Sequence, residues 1–285
     1  MTTDSPTGAN APEAPPVCPR HPDRVSYVRC QRCGRPACPQ CQRPAAVGVQ
    51  CVDCVREAAQ AVRPTHTVLG GRVRGDRPVV TFTIIGLCVA SFLLQLVVGN
   101  AWFEDWAFAP FVGESEPYRF LTAAFLHSTS IFHIGFNMYA LYLVGPYLEQ
   151  ALGRWRYACL YLLAAVGGSV GVLLLASPLD ASWLQGVVGA SGAVFGLFGA
   201  ILVVLRRLGR DARQIMVLIG INAVIGFVVP GIAWQAHFGG LVVGLALGAV
   251  YAYAPRARRS AVTVGATAAM AVLLVVLAMA KYAGA

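Results

Sequence analysis

The chain has 285 residues, of which 57% are apolar and 12% are charged. This balance excludes an ordinary soluble globular protein, because such proteins carry about twice that share of charged side chains. The formal net charge of +9 does not indicate a nucleic-acid partner, because the basic residues lie between apolar segments rather than in one cluster.

Residues 1–17 are rich in Pro, Ala, Gly and Thr. A segment of this composition cannot bury enough apolar surface to fold, so we expect it to be disordered. It also lacks the apolar run of a signal peptide, so we expect the N-terminus to stay in the cytoplasm.

Seven of the nine cysteines lie between residues 18 and 54. Together with one histidine they form four pairs, each with two residues between its members: Cys18 and His21, Cys30 and Cys33, Cys38 and Cys41, Cys51 and Cys54. Eight such ligands supply two closed tetrahedral sites, which predicts a domain over 18–56 with two structural zinc ions. Disulfides are the alternative, and the reducing cytoplasm disfavours them.

The spacing of these pairs is similar to that of B-box zinc fingers. In that family the first and third pairs share one metal, and the second and fourth pairs share the other. The last pair here is Cys51 and Cys54, where B-boxes usually use histidine, and the gap before it is longer, so the ligand pairing stays open. Such domains usually bind proteins, and the resemblance implies a cytosolic protein as partner.

Residues 57–77 are basic and interrupted by glycine, and we expect a linker near the membrane surface. From Pro78 onward, apolar stretches approach the roughly 20 residues that a helix needs to cross the hydrocarbon. These stretches lie at 79–99, 133–150, 157–177, 191–206, 214–230, 236–254 and 261–281. The sequence therefore predicts an all-α polytopic membrane protein with seven spans.

Arginines flank the predicted spans on alternate sides. They precede the first span and follow the second, fourth and sixth: Arg63, Arg72, Arg74, Arg77, Arg154, Arg156, Arg206, Arg207, Arg210, Arg213, Arg256, Arg258 and Arg259. The other loops carry acidic residues or no charge. By the positive-inside rule, we expect a multi-pass protein of the cell membrane with a cytoplasmic N-terminus.

Four polar residues lie inside the predicted spans at similar depth. Ser191 and His237 begin the fourth and sixth spans, and His133 and Asn137 lie one turn apart at the start of the second. A lone serine or histidine in such a helix often has only a structural role. Because these three helices run in the same direction, all four residues lie in the outer part of the bilayer, which favours a common chemical site.

This set of residues suits nucleophilic catalysis without a cofactor. A serine becomes nucleophilic when an adjacent histidine takes its proton, which predicts Ser191 as nucleophile and His237 as base. His133 and Asn137 are candidate donors to an oxyanion. The only carboxylate between Ser191 and His237 is Asp211, on the inner side, so we expect a dyad. We interpret Glu149 and Arg154 as an anchor at the membrane interface.

At these residues the chain resembles the rhomboid family of intramembrane serine proteases. The matching motifs are Arg119-Phe120-Leu121-Thr122, Phe125-Leu126-His127, His133-x-x-x-Asn137-Met138, Gly145-Pro146-Tyr147-Leu148-Glu149, Gly189-Ala190-Ser191-Gly192 and His237-x-x-Gly240-x-x-x-Gly244. The family often has Trp-Arg where this chain has Tyr118-Arg119, which we interpret as an aromatic change in a structural role. His127 either lines the same cavity or is structural.

The resemblance implies a six-helix core over 78–254, with 261–281 as an additional transmembrane helix. It implies a dyad at Ser191 and His237, oxyanion support from His133 and Asn137, and cleavage of transmembrane segments of other membrane proteins near their outer ends. The main alternative is a non-catalytic rhomboid-like membrane adaptor that recruits partners through its zinc module. A transporter is disfavoured, because its proton relay needs carboxylates at the midplane.

Overall fold

A computed structural model of the protein describes residues 14–61, 67, 69–71, 77–229 and 231–285. Contacts between Cα atoms divide the chain into two compact units, Met1–Pro64 and Thr65–Ala285. Most of the segment that we expect to be disordered, residues 1–13, lies outside the described residues, and so do Arg63, Arg72 and Arg74 of the predicted topology.

The first unit holds two small antiparallel sheets and one helix. Strand β1 (Val17–Cys18) pairs with β2 (His21–Val25), and β3 (Gln42–Pro44) pairs with β4 (Val49–Cys51). Helix α1 (Val52–Ala61) follows. The buried residues at the centre are one alanine and six cysteines: Ala37, Cys18, Cys30, Cys38, Cys41, Cys51 and Cys54. A core with so little hydrocarbon favours a domain that metal stabilises.

The second unit contains long helices at all seven predicted spans, with three short helices in the first loop. The helices are α2 (Val79–Val98), α3 (Asn100–Trp106), α4 (Pro110–Gly113), α5 (Arg119–Thr122), α6 (Ile131–Leu152), α7 (Arg154–Leu175), α8 (Ser191–Arg207), α9 (Arg213–Val228), α10 (Trp234–Tyr253) and α11 (Arg259–Ala283). By length and composition, α2, α7, α10 and α11 can each cross a membrane. Helices α8 and α9 are shorter, with 17 and 16 residues.

Helices α8 and α10 approach each other through facing glycines. Gly192 lies opposite Gly240, and Gly196 lies opposite Gly244. The residue numbers rise together along both helices, so α8 and α10 are parallel, as the predicted topology requires of the fourth and sixth spans. A methyl group on Gly240 or Gly244 would overlap the carbonyl oxygen of the facing glycine. Only glycine therefore permits this distance between the helices.

The first loop is organised around the buried guanidinium of Arg119. Its Nε donates to the Glu116 carboxylate at 2.6 Å, and its Nη1 donates to the carbonyl oxygens of Ala107, at 2.9 Å, and Glu104. The Tyr118 hydroxyl also donates to Glu116. Hydrogen bonds from Tyr118 and Arg119 lower the pKa of the Glu116 carboxyl below its ordinary value. The loop is thus a folded part of the bundle.

Glu149 of α6 caps the start of α2. Its carboxylate accepts hydrogen bonds from the backbone N–H groups of Val80, at 3.0 Å, and Thr81, at 2.9 Å, and from the Thr81 hydroxyl. The first N–H groups of a helix have no partner within it, and a negative charge there is favourable. Arg154 lies 3.7 Å from Glu149, so the pair exists but the carboxylate also binds a second helix.

Part of the expected linker is attached to the helices. The Thr67 Oγ1 donates to the carbonyl of Ala151 at 2.7 Å. Arg156 Nη1 donates to the carbonyl of Leu69 at 2.8 Å. These bonds fix the described residues 67 and 69–71 at the junction of α6 and α7.

Candidate active site

Ser191 and His237 contact each other directly. Ser191 is the first residue of α8, His237 lies in the first turn of α10, and His237 Nε2 is 2.9 Å from Ser191 Oγ. The close approach of α8 and α10 at Gly192 and Gly240 brings these two helix ends together. The geometry is that of a hydroxyl hydrogen-bonded to an imidazole base.

The backbone before Ser191 has a conformation that requires glycine. Gly189 has φ +126°, and a methyl group on it would lie 2.7 Å from His133 Nε2. The Gly189 N–H donates to the carbonyl of Ala123 at 2.9 Å, which ties this segment to the first loop. Glycine therefore lets the His133 ring lie against the backbone that leads to Ser191.

The hydrogen bonds of His133 determine which ring nitrogen carries its proton. The backbone N–H of Ser128 donates to His133 Nδ1 at 3.2 Å, so in the neutral ring the proton lies on Nε2. Nε2 is the nitrogen beside Gly189. His133 thus presents an N–H donor next to Gly189, in the loop that leads to Ser191.

Asn137 lies one turn further along α6 and is buried. Its Nδ2 donates to the carbonyl of His133 at 2.8 Å, within the same helix. The four residues singled out in the sequence therefore make different kinds of contact. Ser191 and His237 share a hydrogen bond, His133 flanks Gly189, and the amide of Asn137 is engaged with the backbone of α6.

Phe195 is a site residue that the sequence interpretation missed. Its ring stacks on His237 with a centroid distance of 4.3 Å and an interplanar angle of 9°. Phe195 follows Ser191 by four residues, so both lie on one face of α8. That spacing is the signal that could have identified it.

Among the residues that the structure describes, none is an acidic partner of the other nitrogen of His237. Nδ1 is buried and has no hydrogen-bond partner among the residues that the structure describes. Gly226 of α9 covers it, since a methyl group there would lie 3.3 Å from Nδ1. The ring is oriented by Phe195 and by Ser191, which is the arrangement expected of a dyad.

His127 is fully buried beside the site, with its ring 5.3 Å from that of His133. In the described part of the chain neither of its ring nitrogens has a hydrogen-bond partner. Its ring meets the ring of His133 edge-on.

The first unit brings its eight predicted ligands into two groups. One contains Cys18, His21, Cys38 and Cys41, and the other contains Cys30, Cys33, Cys51 and Cys54. Within each group the ligand atoms lie within 4.8 Å of one another. The first and third pairs meet, as do the second and fourth, which is the interleaved pairing that the B-box resemblance implies. Three thiols with an imidazole, and four thiols, are donor sets suited to a tetrahedral ion such as zinc.

Comparison with known proteins relates the helical unit to one family. Residues 114–254 match the rhomboid domain model, and this segment contains Ser191, His237, His133 and Asn137. The chain is 32% identical to the rhomboid protease GluP of Bacillus subtilis over 60% of the chain and 34% of that protein. It is 37% identical to the rhomboid-type serine protease 2 of Emericella nidulans over 50% of the chain and 28% of that protein.

A shorter relative is matched over most of its length. The putative rhomboid protease YdcA of Bacillus subtilis is 34% identical over 48% of the chain and 68% of that protein. The chain otherwise spans only part of its relatives, with 34% of GluP and 47% of RHOMBOID-like protein 5 of Arabidopsis thaliana covered.

Proposed function

The chain belongs to the rhomboid family, and on that basis we propose that it is an intramembrane serine endopeptidase. This membership confirms the resemblance found in the sequence motifs. The observation that carries the proposal is the 2.9 Å hydrogen bond between His237 Nε2 and Ser191 Oγ, inside the segment that matches the rhomboid domain. The proposed substrates are transmembrane segments of other membrane proteins, cleaved near the outer side of the bilayer.

The proposed reaction uses the two side chains in turn. His237 Nε2 accepts the hydroxyl proton of Ser191 while Oγ attacks the carbonyl carbon of the scissile bond. The imidazolium then donates this proton to the leaving amine as the C–N bond breaks, which leaves an acyl-enzyme. Water that loses a proton to the same nitrogen releases the new carboxyl end and restores Ser191.

Charge develops on the carbonyl oxygen during the attack. Helix α8 begins at Ser191, and its first N–H groups have no partner within the helix, so we assign them as donors to this oxygen. The Nε2–H of His133 lies beside Gly189, so we assign it as a second donor. We assign Asn137 to the same role, which requires its amide to turn from the His133 carbonyl toward the substrate.

We propose that the first unit binds two structural zinc ions on the cytoplasmic side. Each group supplies four protein ligands, which leaves no position for a reacting water, so neither ion takes part in proteolysis. The arginines beside alternate helix ends support a cytoplasmic N-terminus. The exposed side chains of Val25, Tyr27 and Val28 offer this unit an apolar surface for a cytosolic protein.

A covalent serine-hydrolase probe tests the proposed activity directly. The wild-type chain should be labelled at Ser191, and Ser191→Ala and His237→Ala should each abolish both labelling and cleavage of a helix-destabilised transmembrane substrate. The double variant should be no worse than either single variant, because the two side chains act as a unit. Ser260→Ala, at the exposed start of α11, is the matched control. Wild-type protein that folds but is neither labelled nor active would favour the membrane adaptor.

A further inference from the structure

Helix α11 lies outside the six-helix core, and most of its surface is exposed. Along its 25 residues only Thr263 and Leu274 are buried. Its last turn is different, because Tyr282 there contacts two loops at the end of the bundle that carries Ser191.

Tyr282 holds together segments that are far apart in the sequence. Its hydroxyl donates to the carbonyl of Pro110, the first residue of α4, at 2.8 Å. Its ring packs edge-on against Trp183, in the loop between α7 and α8, with a centroid distance of 6.0 Å. A methyl group on Gly113 would overlap the Tyr282 hydroxyl, so α4 packs closely against this hydroxyl. One side chain of α11 thus fixes both loops.

These two loops are joined to each other directly before Ser191. Phe108 and Val187 exchange two backbone hydrogen bonds, of 3.2 Å and 2.6 Å. Phe108 lies two residues before Pro110, and Val187 lies four residues after Trp183 and four before Ser191. A continuous set of contacts therefore leads from Tyr282 through both loops to the backbone that carries the nucleophile.

We propose that Tyr282 is a positioning residue for Ser191, and that α11 is for this reason part of the catalytic scaffold. The inference rests on the proposed proteolytic function. The Ser191 hydroxyl must stay within hydrogen-bond distance of His237 while it attacks, and a misplacement of about 1 Å can cost on the order of 100-fold in rate. Tyr282 restrains the segment that sets this position.

Tyr282→Phe tests the inference, because it removes the hydroxyl but keeps the ring against Trp183. One hydrogen bond of this kind changes an equilibrium or rate by about three- to tenfold. We expect kcat for a transmembrane substrate to fall by about this factor with KM unchanged. The backbone N–H groups of Val187 and Gly189 should exchange with deuterium faster in the same variant. Met279→Ala, at an exposed position of the same helix, is the control and should change neither quantity.

The outcomes separate this inference from the proposed function. If the wild-type chain is active and Tyr282→Phe matches it in kcat and in exchange at Val187, the inference is wrong while the proteolytic function stands. If exchange at Val187 accelerates but kcat is unchanged, the contact is structural and Tyr282 does not position Ser191. A wild-type chain that neither cleaves the substrate nor reacts with a serine-directed probe contradicts the proposed function itself.

Discussion

Substitution of Gly240 by alanine should separate the two helices that carry the dyad. The added methyl group would overlap the carbonyl oxygen of Gly192 and lie 2.6 Å from its carbonyl carbon and 3.2 Å from the carbonyl oxygen of Ala164. All of these are backbone atoms, so no side chain can rotate away. Relief requires α10 to move by about 1 Å, since carbon atoms in contact prefer about 3.5 to 4.0 Å.

The expected cost follows from this displacement. Overpacking of a close-packed interior costs about 1 to 3 kcal/mol, and rigid backbone neighbours place Gly240→Ala near the upper end. A movement of about 1 Å also takes the 2.9 Å contact between Ser191 and His237 beyond the usual range of about 2.7 to 3.2 Å. We therefore expect a loss of about 2 to 3 kcal/mol in the free energy of unfolding and a large loss of probe labelling.

Unfolding in detergent micelles and labelling with a serine-directed probe should be measured on the same preparation. Gly220→Ala in α9 and Gly265→Ala in α11 are matched controls, because within the described part of the chain a methyl group at either position lies within 4 Å of no atom beyond its own helical turn. They should be neutral or more stable by about 0.5 to 1 kcal/mol, as alanine is the better helix former. The reasoning fails if Gly240→Ala is as stable and as reactive as these controls.

Asn137→Ala should lower turnover by about 100-fold or more with little change in substrate binding, as loss of an oxyanion donor does, whereas weaker binding at unchanged turnover would place Asn137 in the substrate groove. Glu149→Gln should lower the free energy of unfolding by about 1 to 3 kcal/mol, because the carboxylate that caps α2 loses its charge; an unchanged unfolding transition contradicts the cap. The full chain should contain two zinc ions in metal analysis, and deletion of residues 1–60 should remove both while Ser191 keeps its probe reactivity; one ion or none contradicts this pairing. The pKa of Glu116 is lowered in the fold, so its stabilising effect is complete above the ordinary carboxyl pKa and is lost as the pH falls through the lowered value. As the pH is lowered from about 5 to about 3, the thermal unfolding temperature should therefore decrease less steeply for Glu116→Gln than for the wild-type chain. Equal slopes for the two proteins would contradict this reasoning.

The positions of the helices could be predicted because bilayer thickness fixes the length of each apolar run. The common depth of Ser191 and His237 could be predicted for a related reason. Each residue begins its helix, and the two helices run in the same direction. The grouping of the eight metal ligands could also be predicted. The spacing alone left the pairing open, and the resemblance to B-box zinc fingers supplied it.

Which side chains contact each other across the helix interfaces could not be predicted. Phe195 is one of two aromatic residues in α8, and although its spacing places it on the same face as Ser191, the sequence does not indicate that its ring stacks on His237. Glu149 and Arg154 are close in sequence and were interpreted as an interfacial anchor, but the residues that Glu149 caps, Val80 and Thr81, lie almost 70 residues away from it. In apolar segments such contacts depend on the shapes of facing helices, and hydrophobic periodicity does not record them.

The cap on α2 also bears on how the chain assembles during synthesis. Helix α2 emerges from the ribosome well before Glu149 exists, so its first N–H groups must initially be satisfied by water or lipid headgroups. When α6 inserts, the Glu149 carboxylate can accept hydrogen bonds from these N–H groups, which offset the cost of burying its charge. Because α2 precedes α6 in the chain, hydrogen-bond donors for Glu149 are present when α6 inserts. A circular permutation that placed α6 first would leave the Glu149 carboxylate without these donors until α2 was made.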